Sequence, residues 1–312
     1  MLKVVRHLDT LKTETAPVVL AIGFFDGVHL GHRAVIEAAR AQAEKLAAEL
    51  WILTFEPHPR KVISPETAPA LLTATRHKLH IFEQMNVQGC ILMPFAPAFR
   101  HLTASEFLEM LTEAIPTLRH IVVGSNWTFG HKGTGTADVL KQWALAHGIE
   151  TSTVAPVTYD GEPVSSTRIR KAVAGGNLKD ASAMLGQPFS IWGTVVRGRG
   201  IGRTMGFPTA NIRPHNEVFP PEGIYAVTAE IGEGIFHGAG YIGRRPTFTQ
   251  AGNEWSLEVF FFDLRENIYD REIIVRFAER IRSDRKFDTP AELTRQIEDD
   301  VRRAKSILSE QM

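Results

Sequence analysis

The sequence predicts a two-part protein, with an α/β half on a parallel sheet followed by an all-β half that ends in a helix. Strand and helix patterns alternate through roughly the first 185 residues, which is typical of a parallel sheet with crossover helices. From about Gln187, short β segments separated by turns take over, and this pattern favours a barrel or sandwich. An apolar stripe at helical spacing then follows Pro290.

Length and composition agree with an ordinary globular protein. The 312 residues suffice for two domains with cores, whose boundary we place between residues 186 and 187. Because 35 basic residues balance 35 acidic ones, no basic field indicates nucleic acid. The only cysteine excludes an intrachain disulfide and suits a reducing cytoplasm. Without a signal-peptide core or a membrane-length apolar stretch, we expect a cytoplasmic protein that binds small molecules, as a monomer or weak homo-oligomer.

Each element of the first half has its own signal. Apolar runs predict strands, and periodic stripes or a Thr103–Glu106 capping box predict helices. The predicted strands are 18–22, 50–55, 90–93, 120–123 and 151–157, and the predicted helices are 33–50, 76–85 and 103–115. Loops 23–32, 56–59 and 124–130 should meet at the carboxyl edge of the sheet, where such folds bind ligands.

The segment Gly23 to His32 connects the first strand to the first helix. Its glycines allow tight bending, and His29 and His32 can share one helix face. A helix N-terminus attracts phosphate, and imidazole donors suit charge that builds at phosphorus. A metal site is the alternative, but no third ligand stands at a telling spacing. The whole string therefore predicts a nucleotide site, formed by Gly23, Phe25, Asp26, Gly27, His29, Gly31 and His32.

A second candidate phosphate site closes this half. Ser165, Ser166 and Thr167 precede Arg168 at a predicted helix start, where hydroxyls and a guanidinium can hold pyrophosphate. An N-cap serine with solvated arginines is an equally good interpretation of the same residues.

The second half contains its own candidate phosphate loop. The predicted strands are 189–197, 223–231, 237–243, 256–262 and 272–281, and the helix after residue 290 should pack on them. A glycine-rich loop can fold over phosphates, and the candidates are Gly198, Gly200, Gly202, Arg203, Gly206 and Pro208. The oxygens of Thr209 and Asn211 suit Mg²⁺.

Glu258 is the candidate general base of the second half. It shares one face of a β segment with Phe260 and Phe262, where a carboxylate is costly to bury unless it is paired or functional. A general base that accepts a hydroxyl proton is the functional interpretation, and a solvated glutamate on an edge strand is the structural one.

Together these strings resemble the bacterial bifunctional riboflavin kinase/FAD synthetase family over nearly the whole chain. The matching stretches are 23–32, 54–59, 102–107, 165–170, 202–203, 206–211, 221–227, 242–248, 258–263 and 286–288. The resemblance implies an FMN adenylyltransferase of the nucleotidyltransferase α/β class with an HxGH motif, followed by a riboflavin kinase on a six-stranded antiparallel β barrel. It implies the substrates ATP, riboflavin and FMN, the product FAD, and Mg²⁺ as cofactor.

The resemblance also assigns roles to individual residues. His29 and His32 would contact ATP phosphates, while Ser166, Thr167 and Arg168 would contact the departing pyrophosphate. Asn126 and Phe129 would lie on the flavin side of that site. In the kinase half, Thr209 and Asn211 would organise Mg-ATP, and Glu258 would be the base on the ribityl 5′-hydroxyl.

Three departures from the family pattern leave alternatives open. His131 to Gly133 replace a stretch with a common Arg, Tyr241 stands where Asn is frequent, and Phe260 stands where His is common. One alternative is therefore a riboflavin kinase with an N-terminal half that is inactive or uses another acceptor. Another is a flavin-binding regulator without catalysis, although a binder has no need of the candidate base.

Overall fold

The computed structural model describes residues 1–13, 15–198, 202, 205–245 and 254–310. The strands are β1 Lys3–Val5, β2 Val18–Ile22, β3 Glu49–Glu56, β4 Gly89–Pro94, β5 Leu118–Gly124, β6 Glu150–Val154, β7 Thr158–Tyr159, β8 Glu162–Pro163, β9 Ser190–Val196, β10 Ala210–Pro214, β11 Gly223–Ile231, β12 Gly234–Arg245, β13 Glu254–Phe261 and β14 Glu272–Ser283. The helices are α1 Leu30–Lys45, α2 Pro59–Ile63, α3 Thr75–Gln84, α4 Ala104–Ala114, α5 Ala137–Ala146, α6 Ser166–Ala174, α7 Leu178–Leu185 and α8 Pro290–Ser309.

The chain forms two compact units. The first contains residues 1–70 and 75–165, and the second contains residues 71–74 and 166–312. This grouping assigns α6 and α7 to the second unit, whereas the boundary between residues 186 and 187 stays a prediction from the sequence. None of the described helices combines the length and the apolar character needed to cross a bilayer.

The first unit is built on the predicted parallel sheet. Its six strands have the order β1-β4-β3-β2-β5-β6, and every neighbouring pair is parallel. All five residues of β2 are buried, because helices and loops cover both faces of such a sheet. Apolar side chains form one core on each face. The carboxyl ends of the strands therefore form a single ligand-accessible edge.

Three details of this unit differ from the sequence prediction. The three-residue strand β1 was not predicted, since it is too short to show a period. Helix α1 covers Leu30–Lys45 instead of residues 33–50, because Ala47 has a left-handed backbone with φ of 48° and the chain then enters β3. Strand β6 ends at Val154, before the predicted limit of residue 157.

The second unit is the expected closed barrel. Its strands have the order β10-β13-β12-β11-β14-β9, and β9 also pairs with β10. All these pairs are antiparallel. Strand β10 was not predicted from sequence, and it supplies the sixth strand that closes the barrel. Closure removes the free edges of the sheet, so Glu258 does not lie on an edge strand.

Helix α8 covers one part of the barrel surface, as its apolar stripe predicts. Its last turns pack Ala304, Ile307 and Leu308 against Ala226 and neighbouring side chains of the barrel. Its earlier stripe residues Leu293, Ile297 and Val301 line a cavity instead. Only the C-terminal part of the predicted stripe therefore packs on the barrel.

Candidate functional site

The turn between β2 and α1 is tightly folded around Phe25. Phe25, Gly27 and Val28 all have left-handed backbones, with φ of 53°, 85° and 40°. Phe25 and Val28 are nonetheless fully buried, and the backbone N–H of Gly23 donates to the Leu53 carbonyl at 3.1 Å. Burial of these side chains compensates the backbone strain and fixes the path of the turn. The turn thus delivers the chain to α1 in one defined conformation.

His29 and His32 meet at the start of α1. His29 is the N-cap residue, and its Nδ1 accepts a hydrogen bond of 3.3 Å from the His32 N–H. The two imidazole rings stack with their centroids 3.6 Å apart at an interplanar angle of 15°. A Cβ at Gly31 would lie 3.2 Å from Cε1 of His29, so the glycine between the histidines permits this stacking.

The protonation state of His32 follows from its burial. Burial, followed by the charges of His29 and Lys78, holds the pKa of His32 well below 6.5, so His32 is neutral at neutral pH. Because Nδ1 of His29 accepts a hydrogen bond, a neutral His29 carries its proton on Nε2 and can donate from there. Among the described residues, Nδ1 of His32 is buried with no hydrogen-bond partner. The pair therefore places two imidazole groups, of which His32 is neutral, at a helix N-terminus, where anions are favoured.

Lys78 is a functional candidate that the sequence analysis missed. It lies on α3 with 7% of its surface exposed. Its ammonium donates to the Phe24 carbonyl at 3.1 Å and to Oγ1 of Thr54 at 3.0 Å. A signal was available, since Lys78 shares a helix face with the buried Ile81 and Phe82.

Aromatic contacts join the loops at the carboxyl edge of the sheet. The ring of Phe24, after β2, lies 5.0 Å from that of His58, after β3. Further ring contacts then continue along the edge through Phe55, Phe95, Phe99, Phe107, Trp127 and Phe129. The three loops that the topology predicts at this edge are therefore linked by one aromatic row.

The residues expected on the flavin side lie at the far end of this row. Asn126 is exposed in the loop after β5. Phe129 is buried, stacks on Trp127 at 4.4 Å, and exchanges backbone hydrogen bonds with Gly135. The unusual stretch after it forms a short 3-10 turn, His131–Gly133, in which Nδ1 of His131 lies 2.9 Å from the Arg100 carbonyl.

The predicted pyrophosphate residues lie at the start of α6. Ser165 is the last residue of the first unit, and Ser166, Thr167 and Arg168 form the first turn of α6 in the second. Hydroxyls and a guanidinium at a helix start agree with the sequence pattern. Their role toward ATP stays a prediction.

The second site is assembled around Glu258 on the outer face of the barrel. Leu257 and Val259 point into the barrel core, which leaves Glu258 half-buried on the other face, as the two-residue period predicts. The register places Asn211 of β10 and Tyr241 of β12 directly opposite Glu258, one on each side. Three polar side chains from separate strands are thereby brought together.

Hydrogen bonds orient these polar groups. Oγ1 of Thr209 donates to a Glu258 carboxylate oxygen at 3.3 Å, and the Tyr241 hydroxyl donates to Asp284 at 3.1 Å. Burial and nearby carboxylates raise the pKa of Tyr241 to about 12, so the phenol keeps its proton at neutral pH. Asn211 is buried, and a Cβ at Gly198 would overlap its carboxamide.

Glu258 opens onto a cavity of about 440 Å³ between the barrel and α8. This volume lies within the range of small-molecule sites. The cavity is mainly apolar, and two of its polar side chains, Thr209 and Tyr241, lie beside Glu258. The lining includes Met205, Phe207, Thr209, Ile224, Ala239, Tyr241, Phe260, Arg282, Asp284, Arg285, Phe287, Leu293, Ile297 and Val301.

The phosphate loop predicted beside this cavity is only partly described. Gly198, Gly202, Gly206 and Pro208 belong to the described residues, and Gly202 lines the cavity. Gly200, Arg203 and the matching residues 246–248 lie outside the described part of the chain.

The donor set fits a magnesium ion better than a transition metal. Thr209 and Asn211 supply a hydroxyl and a carboxamide oxygen beside the Glu258 carboxylate, and Mg²⁺ prefers such hard oxygen ligands. In the described ranges, no group of three or more His, Cys, Asp or Glu side chains could hold a metal. Thr209 and Asn211 would therefore hold a magnesium ion through oxygen ligands.

Comparison with known proteins covers both units. The FAD synthetase family matches residues 11–168, and the Riboflavin kinase family matches residues 185–308. The bifunctional riboflavin kinase/FMN adenylyltransferase of Bacillus subtilis is 37% identical over 297 residues, which cover 94% of this chain and 93% of its own. The Haemophilus influenzae protein of the same name is 35% identical over 309 residues, with 99% and 100% coverage.

A solved structure agrees with these sequence matches in fold. A Streptococcus pneumoniae crystal structure described as a macrolide-efflux protein has a TM-score of 0.82 at 30% identity. The match covers 95% of this chain and 96% of that one.

These findings define a transferase that combines a nucleotidyltransferase half with a kinase half. The chain belongs to the bifunctional riboflavin kinase/FMN adenylyltransferase family. Because relatives with that name match nearly the whole chain, the findings favour two activities over a kinase alone.

Proposed function

We propose that the two sites act in series, with riboflavin phosphorylated at Glu258 and the resulting FMN adenylylated at the His29–His32 turn. The observation that carries the first step is a half-buried carboxylate, 3.3 Å from a hydroxyl, that faces a mainly apolar cavity. An isoalloxazine ring suits the apolar walls, and a ribityl hydroxyl suits the polar groups at Glu258 and Thr209.

In the kinase step, the oxygen of the riboflavin 5′-hydroxyl attacks the γ-phosphorus of ATP, and Glu258 accepts the proton of that hydroxyl. The bond from the γ-phosphorus to the bridging oxygen breaks, and ADP leaves. A base is useful here because the nucleophile is a neutral hydroxyl. Thr209 holds the Glu258 carboxylate in place through its 3.3 Å hydrogen bond.

Thr209 and Asn211 would hold the magnesium ion of Mg-ATP. When bound there, Mg²⁺ would offset the negative charge of the ATP phosphates. The buried position of Asn211 opposite Glu258 supports this assignment, since the register of β10 and β13 places Asn211 beside the carboxylate residue. Gly198 leaves the space in which that carboxamide lies.

In the adenylyl step, a phosphate oxygen of FMN attacks the α-phosphorus of ATP, and pyrophosphate leaves. No base is required, because the nucleophile is already anionic. Alignment and charge stabilisation are what this step needs. The N-terminus of α1 and the Nε2–H of His29 would donate to the phosphates, with His32 stacked behind His29.

Other residues would complete the adenylyltransferase site. Gly23, Phe25, Asp26, Gly27 and Gly31 would shape the ATP-binding turn, and Ser165 to Arg168 would receive the pyrophosphate. The exposed Asn126 and the aromatic row that includes Phe129 would accept the flavin. We assign this activity to residues 1–186 and the kinase to residues 187–312.

We also infer that the enzyme is cytoplasmic and acts as a monomer or weak homo-oligomer on small molecules, without nucleic-acid partners. The balance of 35 basic and 35 acidic residues supports the absence of nucleic acid. Light scattering of the purified protein measures the oligomeric state, and a stable large assembly would contradict this inference.

Chromatography of reaction products tests the proposed function. Riboflavin with ATP and Mg²⁺ should give FMN and FAD, and FMN with the same additions should give FAD. Glu258→Gln should abolish FMN formation and retain FAD formation from supplied FMN. The double variant His29→Ala, His32→Ala should do the reverse. Loss of both activities in a folded single-site variant would contradict the division of labour.

A further inference from the structure

Lys78 places an ammonium group beneath the turn that carries His29 and His32. Its Nζ contacts two neutral oxygens, the Phe24 carbonyl at 3.1 Å and Thr54 Oγ1 at 3.0 Å. Thr54 Oγ1 itself donates to the Phe24 carbonyl at 3.0 Å. The Phe24 carbonyl is therefore held by two donors from two different elements, β3 and α3.

This ammonium has no ion-pair partner within 4.0 Å among the described residues. The surrounding charges act from further away. Burial lowers the pKa of Lys78, while Cys90, Asp26 and Glu56 raise it by smaller amounts. Cys90 is a neutral thiol, because burial raises its pKa to about 12. Glu56 is already paired with Arg6 at 2.7 Å. A buried cation without a close counter-ion is costly, so its retention calls for a function.

The contacts of Lys78 orient the peptide that opens the turn. In a trans peptide the N–H and C=O point in opposite directions, so the N–H of Phe25 points away from Lys78. The Phe25 ring contacts the His32 ring edge-on at 5.3 Å. The charge of Lys78 also helps to keep His32 neutral. The ammonium is thus coupled, through one peptide and through space, to the histidine pair.

We propose that Lys78 is a positioning residue of the adenylyltransferase site, which fixes the Phe24 peptide and supplies a positive charge beneath the ATP polyphosphate. This inference rests on the proposed assignment of the His29–His32 turn to ATP. Among the described residues no carboxylate lies within 4.0 Å of Nζ of Lys78, and the polyphosphate would supply a closer counter-ion when the substrate binds.

The experiment compares Lys78→Met with Thr54→Val in the full-length protein. Lys78→Met keeps the apolar stem and removes the charge, whereas Thr54→Val removes the hydroxyl and keeps the charge. We expect Lys78→Met to lower kcat/KM for ATP in FAD formation by about ten-fold or more, and Thr54→Val to lower it much less. FMN formation from riboflavin is the internal control, and the exposed Lys45→Met is the matched surface control. We expect FMN formation by Lys78→Met, and FAD formation by Lys45→Met, to equal those of the parent protein.

Thermal unfolding separates a functional charge from a structural one. Since a buried unpaired charge destabilises a fold, Lys78→Met should leave Tm unchanged or raise it while FAD formation falls. Three results would each overturn the inference. They are unchanged FAD formation in Lys78→Met, equal losses of FAD formation in Lys78→Met and Thr54→Val, and a fall in Tm of Lys78→Met accompanied by a fall in both activities. If the double histidine variant also keeps FAD formation, the proposed ATP site fails; if that variant is inactive and Lys78→Met is normal, only the role of Lys78 fails.

Discussion

Gly198→Ala tests whether Asn211 organises Mg-ATP in the kinase site. A Cβ at position 198 would lie 2.6 Å from Oδ1 of Asn211 and closer still to its nitrogen. Either the carboxamide or the end of β9 must move, because these atoms cannot overlap. Forcing one methyl group into a packed site costs about 1–3 kcal/mol. If the carboxamide is the group that moves, kinase activity should fall by about 5- to 150-fold.

The assay measures FMN formation over a series of Mg²⁺ concentrations. We expect Gly198→Ala to raise the Mg²⁺ concentration that gives half-maximal rate, since Asn211 would no longer stand in its ligand position. FAD formation from supplied FMN should be unchanged. Gly232→Ala is the control for backbone strain alone in the same unit, because position 232 has a left-handed φ of 59° and no atom near an added Cβ. A lower kinase rate with an unchanged Mg²⁺ requirement would refute the link between Asn211 and the metal.

Two further predictions concern Tyr241 and His32. Tyr241→Phe removes the 3.1 Å hydrogen bond to Asp284 in the cavity wall. The KM for riboflavin should therefore rise about 2- to 12-fold, which is equivalent to about 0.5–1.5 kcal/mol. An unchanged KM in steady-state assays would contradict this role. Burial holds the pKa of His32 well below 6.5, so the unfolded chain binds more protons than the folded one just below that pH, and stability falls as the pH decreases. His32→Asn should therefore show a smaller loss of Tm between about pH 7.5 and about pH 5.5 than the parent protein, whereas an identical loss would contradict a neutral, buried His32.

The sequence predicts features that depend on local patterns. The strand–turn–helix at residues 23–32 and the face occupied by Glu258 both follow from the period of apolar residues, and the structure has both. Strand β10 was missed because Ala210–Pro214 is short, mixes polar and apolar residues, and ends in proline. Its pairing opposite Glu258 depends on closure of the barrel, which no local pattern encodes.

Lys78 shows a different limit of sequence reasoning. Its place on the apolar face of α3 is visible from the spacing to Ile81 and Phe82. What it contacts is decided by Phe24, 54 residues earlier in the chain, and a pattern of helical spacing carries no information about such a partner. The same holds for the stacking of His29 on His32, where the spacing allows contact but the buried turn sets its geometry.

The second unit is not a continuous stretch of the chain, because residues 71–74 belong to it. Asn216 of this unit donates to the Leu72 carbonyl at 2.6 Å, and Glu217 binds the backbone of Leu71 through a 2.9 Å hydrogen bond. A gene fragment that begins at residue 166 or 187 would encode every barrel strand but omit these acceptors and donors. The two compact units are therefore encoded as interleaved segments, and a single cut in the gene does not yield two complete units.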